Sequence, residues 1–226
     1  MGRSSSPEPL VGDAGKPRGG PPVGTVIEVF ADVACPFTHV GLRRFVERRA
    51  TEGRDDVRLR VRAWPLEIVN GSPLDPAFIT EEVDELRRTA APGLFRGYRE
   101  EVFPATSLPA LALAAAAYAA RPELGELVSL ELRDALFEQG VDISRVDVLT
   151  GLAQRHDLDF DPDDLTAVLA DHARGVQREV IGSPHFFTPT GSFFCPALDI
   201  TRDGEGHLHI TADPVGFEQF LAGCFT

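Results

Sequence analysis

Apolar and polar positions along this chain change period twice. Near the start, Val26, Ile27, Val29 and Phe30 form a short apolar, β-branched run that predicts a strand over residues 25–31. Residues 36–50 read as a helix. A second strand is predicted over 57–64, where Val57, Leu59 and Val61 alternate with Arg58, Arg60 and Arg62. Trp64-Pro65 ends it, because proline cannot continue a paired ladder. From about residue 75 to 182 the period is helical, broken by Pro92, Gly93, Pro104, Pro109, Pro122, Gly140 and Pro162. Glu81 and Glu82 early, with Arg87 and Arg88 late, suit the dipole of the first helix in this block. Ser144 and Asp161 each precede a periodic apolar set and are predicted as N-caps, with Pro162 at a first helical position.

Strand period returns after Pro184. Residues 185–188 and 192–195 flank Pro189-Thr190-Gly191 and predict a hairpin. Residues 207–211 predict an edge strand, and Asp213-Pro214 heads a final helix carrying Phe217, Phe220 and Leu221. The order is βαβ, a helical block, then ββα. Neither flank completes a sheet alone, so the expectation is one α/β sheet with helices inserted. The division expected is a disordered Gly-, Pro- and Ser-rich tail (1–24), a sheet domain (25–74 with 183–226) and an inserted helical domain (75–182).

Composition narrows the classes. The chain has 226 residues, 43% hydrophobic and 25% charged, the balance of a soluble globular protein. A net charge of −13 argues against nucleic acid or an anionic membrane as partner. The basic group Arg43, Arg44, Arg48 and Arg49 lies in the last turns of the first helix, where cations complement the dipole. Three cysteines make no disulfide framework, no apolar run opens the chain, and the apolar stretch 108–120 is too short to span a bilayer. These features point to a reducing, cytoplasmic setting. His207 and His209 alternate on one strand face without the spacing of a metal site, and no metal is expected.

The chemistry concentrates at Cys35-Pro36-Phe37-Thr38. Proline is favoured at the first helical position, so Pro36 makes Cys35 the N-cap of the first helix. A thiolate there can accept the amides of Phe37 and Thr38 at the positive end of the dipole, which lowers a thiol's pKa. Thr38 stands where a dithiol redox motif would carry its second cysteine. His39 shares a helix face with Cys35 and is read either as an ion-pair partner of the thiolate or as a capping histidine. Asp32 is read either as a buried acid behind the sulfur or as a strand-end residue bonding local amides.

Three stretches carry a family resemblance: residues 30–41 around Cys-Pro, the helix pair through Gly140-Val141-Asp142-Ile143, and Val180-Ile181-Gly182-Ser183-Pro184-His185-Phe186-Phe187. Together they resemble the DsbA-like branch of the thioredoxin superfamily. The likeness is strongest to its FrnE-like group and to the 2-hydroxychromene-2-carboxylate isomerase and kappa-class glutathione transferase group. The resemblance implies a thioredoxin-like fold, with Pro184 cis and facing Cys35. It also implies that the strand bearing Cys195 lies away from the head of the first helix. Cys35 and Thr38 are then the catalytic candidates, with Pro36, Phe37, His39, Ser183 and Pro184 binding substrate or thiol. The function expected is a thiol–disulfide oxidoreductase of monothiol type, forming a mixed disulfide on Cys35 that an external thiol releases. Its partner would be a disulfide-bearing protein or a small thiol or disulfide. No cofactor is expected to be tightly bound; glutathione or mycothiol would be a co-substrate, and a homodimer stays open. The alternatives are a glutathione- or mycothiol-dependent transferase or isomerase, and a non-catalytic thioredoxin-fold binding module.

Overall fold

The computed structural model describes residue 1 and residues 24–226; the predicted tail, residues 2–23, lies outside the described residues. Strand β1 (Thr25–Ala31) runs into helix α1 (Pro36–Thr51), which returns as β2 (Val57–Ala63), parallel to β1 in the register Thr25 to Val57 through Ala31 to Ala63. After the helical block, β3 (His185–Thr188) pairs antiparallel with β1 and β4 (Gly191–Phe194) with β3, giving the sheet order β2-β1-β3-β4. This is the mixed sheet of a thioredoxin-like fold with helices inserted between its two halves.

Alternation decides what each face of the sheet meets. Ile27, Val29 and Ala31 join Leu42 and Phe45 of α1 and Phe220 and Leu221 of α8 (Pro214–Cys224) in one core. Phe220 is fully buried there, 4.6 to 6.0 Å between ring centres from Phe45, Phe186, Phe193 and Phe217. Phe30 points the other way, against Trp64 and Val180. Burying an aromatic ring of this size contributes about 2 kcal/mol or more. Asp213 caps α8 as predicted, accepting from the Gly216 amide at 2.8 Å.

After the short helix α2 (Leu66–Asn70), the inserted helices are α3 (Pro76–Arg88), α4 (Leu108–Ala120), α5 (Pro122–Phe137), α6 (Val146–Arg155) and α7 (Thr166–Gln177). Their core is continuous with Val33, Ala34 and Val40 from the sheet half. They also close one side of the sheet. The free edge of β2 is met rung by rung: Leu59 donates to Glu126 (2.8 Å), Val61 to the Tyr118 hydroxyl (2.9 Å), and Ala63 to Asp171 (3.2 Å). The same hydroxyl donates to the Leu59 carbonyl at 3.1 Å. Tyr118 reaches β2 because α5 presents Gly125 beneath it; a Cβ there would lie 2.1 Å from the ring. An unpaired edge is a template for a foreign strand, and here side chains occupy it.

Three expectations are corrected. The N-cap position of α6 holds Arg145, with no side-chain cap, rather than Ser144, whose amide and hydroxyl both turn back to the Asp142 carboxylate at 2.8 and 2.6 Å. Helix α7 begins at Thr166, because Asp161 and Asp164 spend their carboxylates on the amides of Asp163 and Thr166 in local turns. Strand β5 (Leu198–Arg202) was not foreseen, and β6 (Leu208–Ala212) pairs with it in a separate ribbon instead of edging the main sheet. Cys195, at a φ of 45°, and Pro196 end the β4 ladder and turn the chain out of its plane.

Candidate active site

The site is assembled from three chain segments. Strand β1 ends at the buried Ala31, and Pro36 at the head of α1 leaves Cys35 as N-cap with φ −83° and ψ 118°. The sulfur, in a residue 3% exposed, caps no amide of the helix. Its thiol donates to the Ser183 carbonyl at 3.2 Å, next to the cis Ser183–Pro184 bond. The Ser183 hydroxyl accepts from the Asp32 amide and meets the Thr38 hydroxyl, each at 2.9 Å. Thr38, where a second thiol would stand, therefore ties α1 to the Ser183–Pro184 loop. Cys35, Thr38, Ser183 and Pro184 come together, and Pro36 and Phe37 join Cys35 on the wall of a cavity of about 340 Å³. The rest of that wall is mostly apolar, with Phe78 and Phe194 exposed at its rim.

His39 is not part of this cavity. It is 1% exposed, edge-on to Phe95 and tilted against Phe137, and bonded through Nε2 to Glu138 at 2.7 Å. The helix face it shares with Cys35 turns into the core, so the expected thiol-binding role is corrected to a bolt between α1 and the end of α5. Burial holds the imidazole below its ordinary range, so the neutral ring donates to a carboxylate held at about 2 by that bond and by the Phe95 amide. Asp32 is fully buried and accepts from the nearby Ala34 amide (2.9 Å) and from the distant Leu66 amide (2.7 Å) and Ser107 hydroxyl (3.0 Å), so it is a buried acid with one local amide among its partners. Burial still raises its pKa.

The electrostatics of the site differ from expectation. Burial pushes the Cys35 thiol up, outweighing the hydroxyls of Ser183 and Thr38 and the nearby Thr38 amide, which oppose it. The N-cap place was read as acidifying, but desolvation outweighs the dipole when the sulfur donates to a carbonyl. Cys195 also departs from expectation. Its amide donates to the Pro184 carbonyl at 3.0 Å, and the charge of an ionised Cys35 adds to the burial that raises its thiol. Cys224, the last residue of α8, is buried, which pushes its thiol up to about 12.

Two residues of the site escaped the sequence reading. Arg133 is buried under the turn that carries Cys35, donating to the Asp32 carbonyl at 3.1 Å and to the Ser129 hydroxyl and carbonyl at 2.7 Å. Glu82 was read as a dipole partner, yet it lines the cavity. Its signal was present: Ile79, Glu82, Val83 and Leu86 follow the 3.6-residue period of the buried face. The Arg43–Arg49 cluster is paired, Arg43 with Asp134, Arg48 with Glu52 and Glu218, and Arg49 with Glu126, while Arg44 donates to two carbonyls. Among the described residues no group of histidine, cysteine and carboxylate is placed to hold a metal; His207 and His209 share Asp203 in the β5–β6 turn.

Solved structures share this fold. A putative protein disulfide isomerase from Nitrosomonas europaea matches with TM-score 0.60 at 18% identity, covering 88% of this chain and 96% of that one. The cytosolic disulfide reductase DsbM from Pseudomonas aeruginosa, solved with GSH, matches with TM-score 0.54 at 15% identity, covering 87% and 97%. A 2-hydroxychromene-2-carboxylate isomerase matches with TM-score 0.50 at 12% identity, covering 75% and 88%. No curated protein matches the chain. The model of one family, however, covers residues 26–200, from β1 through the Cys-Pro turn and the inserted helices to β5. On that match the chain belongs to the DSBA-like thioredoxin domain family.

Proposed function

We propose that this protein is a thiol–disulfide oxidoreductase of monothiol type, working through a mixed disulfide on Cys35. The observation that carries the reading is the placement of Cys35. Its sulfur heads α1, bonds the carbonyl that precedes Pro184, and opens into an apolar cavity, with a hydroxyl at Thr38 where a resolving thiol would be. Thiolate attack on a disulfide sulfur forms the Cys35 adduct and releases the other half as a thiol; an external thiol then attacks the adduct and restores Cys35. The apolar rim at Phe78 and Phe194 suits a disulfide carried by an apolar segment of another protein. We read residues 75–182 as the inserted domain that supplies the Glu82 wall of the site. The reaction belongs to the cytoplasm, where glutathione or mycothiol would supply the releasing thiol.

The test is the lifetime of a glutathione adduct on Cys35, followed by mass spectrometry in the wild type and in Thr38→Cys, with insulin reduction measured alongside. The wild-type adduct should persist until external thiol is added, and Thr38→Cys should discharge it into an internal Cys-x-x-Cys disulfide and gain reductase activity at low thiol. Discharge at equal rates would sink the monothiol reading; loss of that fast discharge in Cys195→Ser would identify Cys195 as the resolving thiol. Non-covalent glutathione or mycothiol with no adduct would instead support a transferase or isomerase. The hydroxyl pair Thr38–Ser183 beside the sulfur favours that second reading, while among the described residues the cavity wall offers no lysine or arginine for the carboxylates of glutathione. A Cys35 that never reacts would leave a binding module.

A further inference from the structure

Glu82 sits on the buried face of α3, 7% exposed, and lines the cavity into which Cys35 opens. Its neighbour Glu81 takes the arginine of this region, Arg202 of β5, in an ion pair at 3.0 Å. Glu82 makes no hydrogen bond and no ion pair among the described residues. Its surroundings are the Cys35 thiol from α1, the Cys195 thiol after β4, Glu81 on its own helix and Arg202 on β5; of the charges these groups carry, only that of Arg202 favours ionisation. A buried carboxyl without a partner costs stability, and an apolar residue at this helical position would avoid that cost. Its presence on the wall shared with the nucleophilic sulfur points to chemistry.

Desolvation holds the Glu82 carboxyl at about 8, close to the range of an alkyl thiol at about 8.5. Ionised Glu82 also opposes ionisation of Cys35. The cavity therefore holds one negative charge more readily than two, and a proton leaving one group is welcome on the other. Both groups line this cavity of about 340 Å³, which is large enough for water to relay a proton between them.

We propose that Glu82 is the proton-transfer group of the exchange at Cys35, taking the thiol proton before attack and delivering it to the departing sulfur. In the first step the Glu82 carboxylate accepts the Cys35 proton. The thiolate then forms a new S–S bond to the substrate disulfide as the old S–S bond breaks, and its second sulfur leaves with the electron pair. That thiolate takes the proton from the Glu82 carboxyl and leaves as a thiol, restoring the carboxylate. No outside oxidant is needed. Release of the adduct runs the same steps in reverse order, with a low-molecular-weight thiol as the incoming group.

The inference rests on the mixed-disulfide reading, and the experiment separates the two. Wild type, Glu82→Gln and Glu82→Asp are compared in three reactions: alkylation of Cys35 by iodoacetamide, exchange with an alkyl disulfide, and exchange with an aryl disulfide whose nitrothiolate leaves without a proton. Removing the acid should slow alkyl exchange by about 10²-fold. It should slow aryl exchange and alkylation less, since those two reactions lose only the acceptor of the Cys35 proton. Glu82→Asp should recover part of the alkyl rate, and its pH profile should retain a limb that Glu82→Gln loses. Equal losses in all three reactions would mark Glu82 as structural, and equal gains as no more than a brake on ionisation; either result overturns the proposal. A wild type that forms no mixed disulfide at all removes the parent reading and this one with it.

Discussion

Ser183 holds the site with both of its polar oxygens. Its carbonyl takes the Cys35 thiol, and its hydroxyl takes the Asp32 amide while meeting Thr38. Ser183→Ala would strand the amide of a fully buried residue, so a loss of about 1–3 kcal/mol is expected in urea denaturation. Glu82 should show itself in the pH dependence of stability. Its carboxyl moves from an ordinary 4.5 to about 8 on folding, so between those values the folded state keeps a proton that the unfolded chain has released. Stability then falls as pH rises across that window. Glu82→Gln should match wild type below about pH 4.5 and gain on it up to about pH 8, by on the order of 5 kcal/mol. Denaturation midpoints at five pH values would check this, and a constant difference would refute it. Cys35 should alkylate ahead of Cys195 and Cys224 because it alone of the three lines the cavity, with a midpoint above the free-thiol value of about 8.5. A midpoint below that value would show that the dipole, and not burial, governs the sulfur.

Among the elements, the sealed edge of β2 makes the sharpest prediction. Tyr118→Phe removes the acceptor of the Val61 amide without changing the packing on Gly125, and should cost about 1–3 kcal/mol. Hydrogen exchange at Val61 should speed up more than at Ile27, on the strand inside. This seal was not legible in the sequence, since nothing in an alanine-rich helix or in Glu126 announces a long-range bond to a strand amide. The strands β1 to β4 were legible, because burial on one face writes alternation and proline and glycine write the turns. So was the Cys35–Pro36 turn. The caps of α6 and α7 were misplaced because aspartates one turn earlier bond their own amides, which looks the same in sequence as capping a helix. His39 was assigned to the site by helical spacing, which gives the face but not whether that face meets solvent or Phe95 and Phe137.

At the scale of the whole molecule, the two halves of the sheet depend on segments far apart in sequence. Strand β1 lies between β2, its near neighbour in the chain, and β3, which begins at His185. The amides on the outer edge of β2 wait for Tyr118, Glu126 and Asp171. At synthesis rates of about 5–20 residues per second, both edges of the β1–β2 pair stay open for on the order of ten seconds after it leaves the ribosome. The helices that later shape the cavity thus first serve as a cover that arrives late. During translation the chain carries a parallel pair of strands with nothing on either side, and neighbouring nascent chains offer the same edges. Demand on holding chaperones should therefore peak before α7 emerges, and vanish only once β3 has paired with β1.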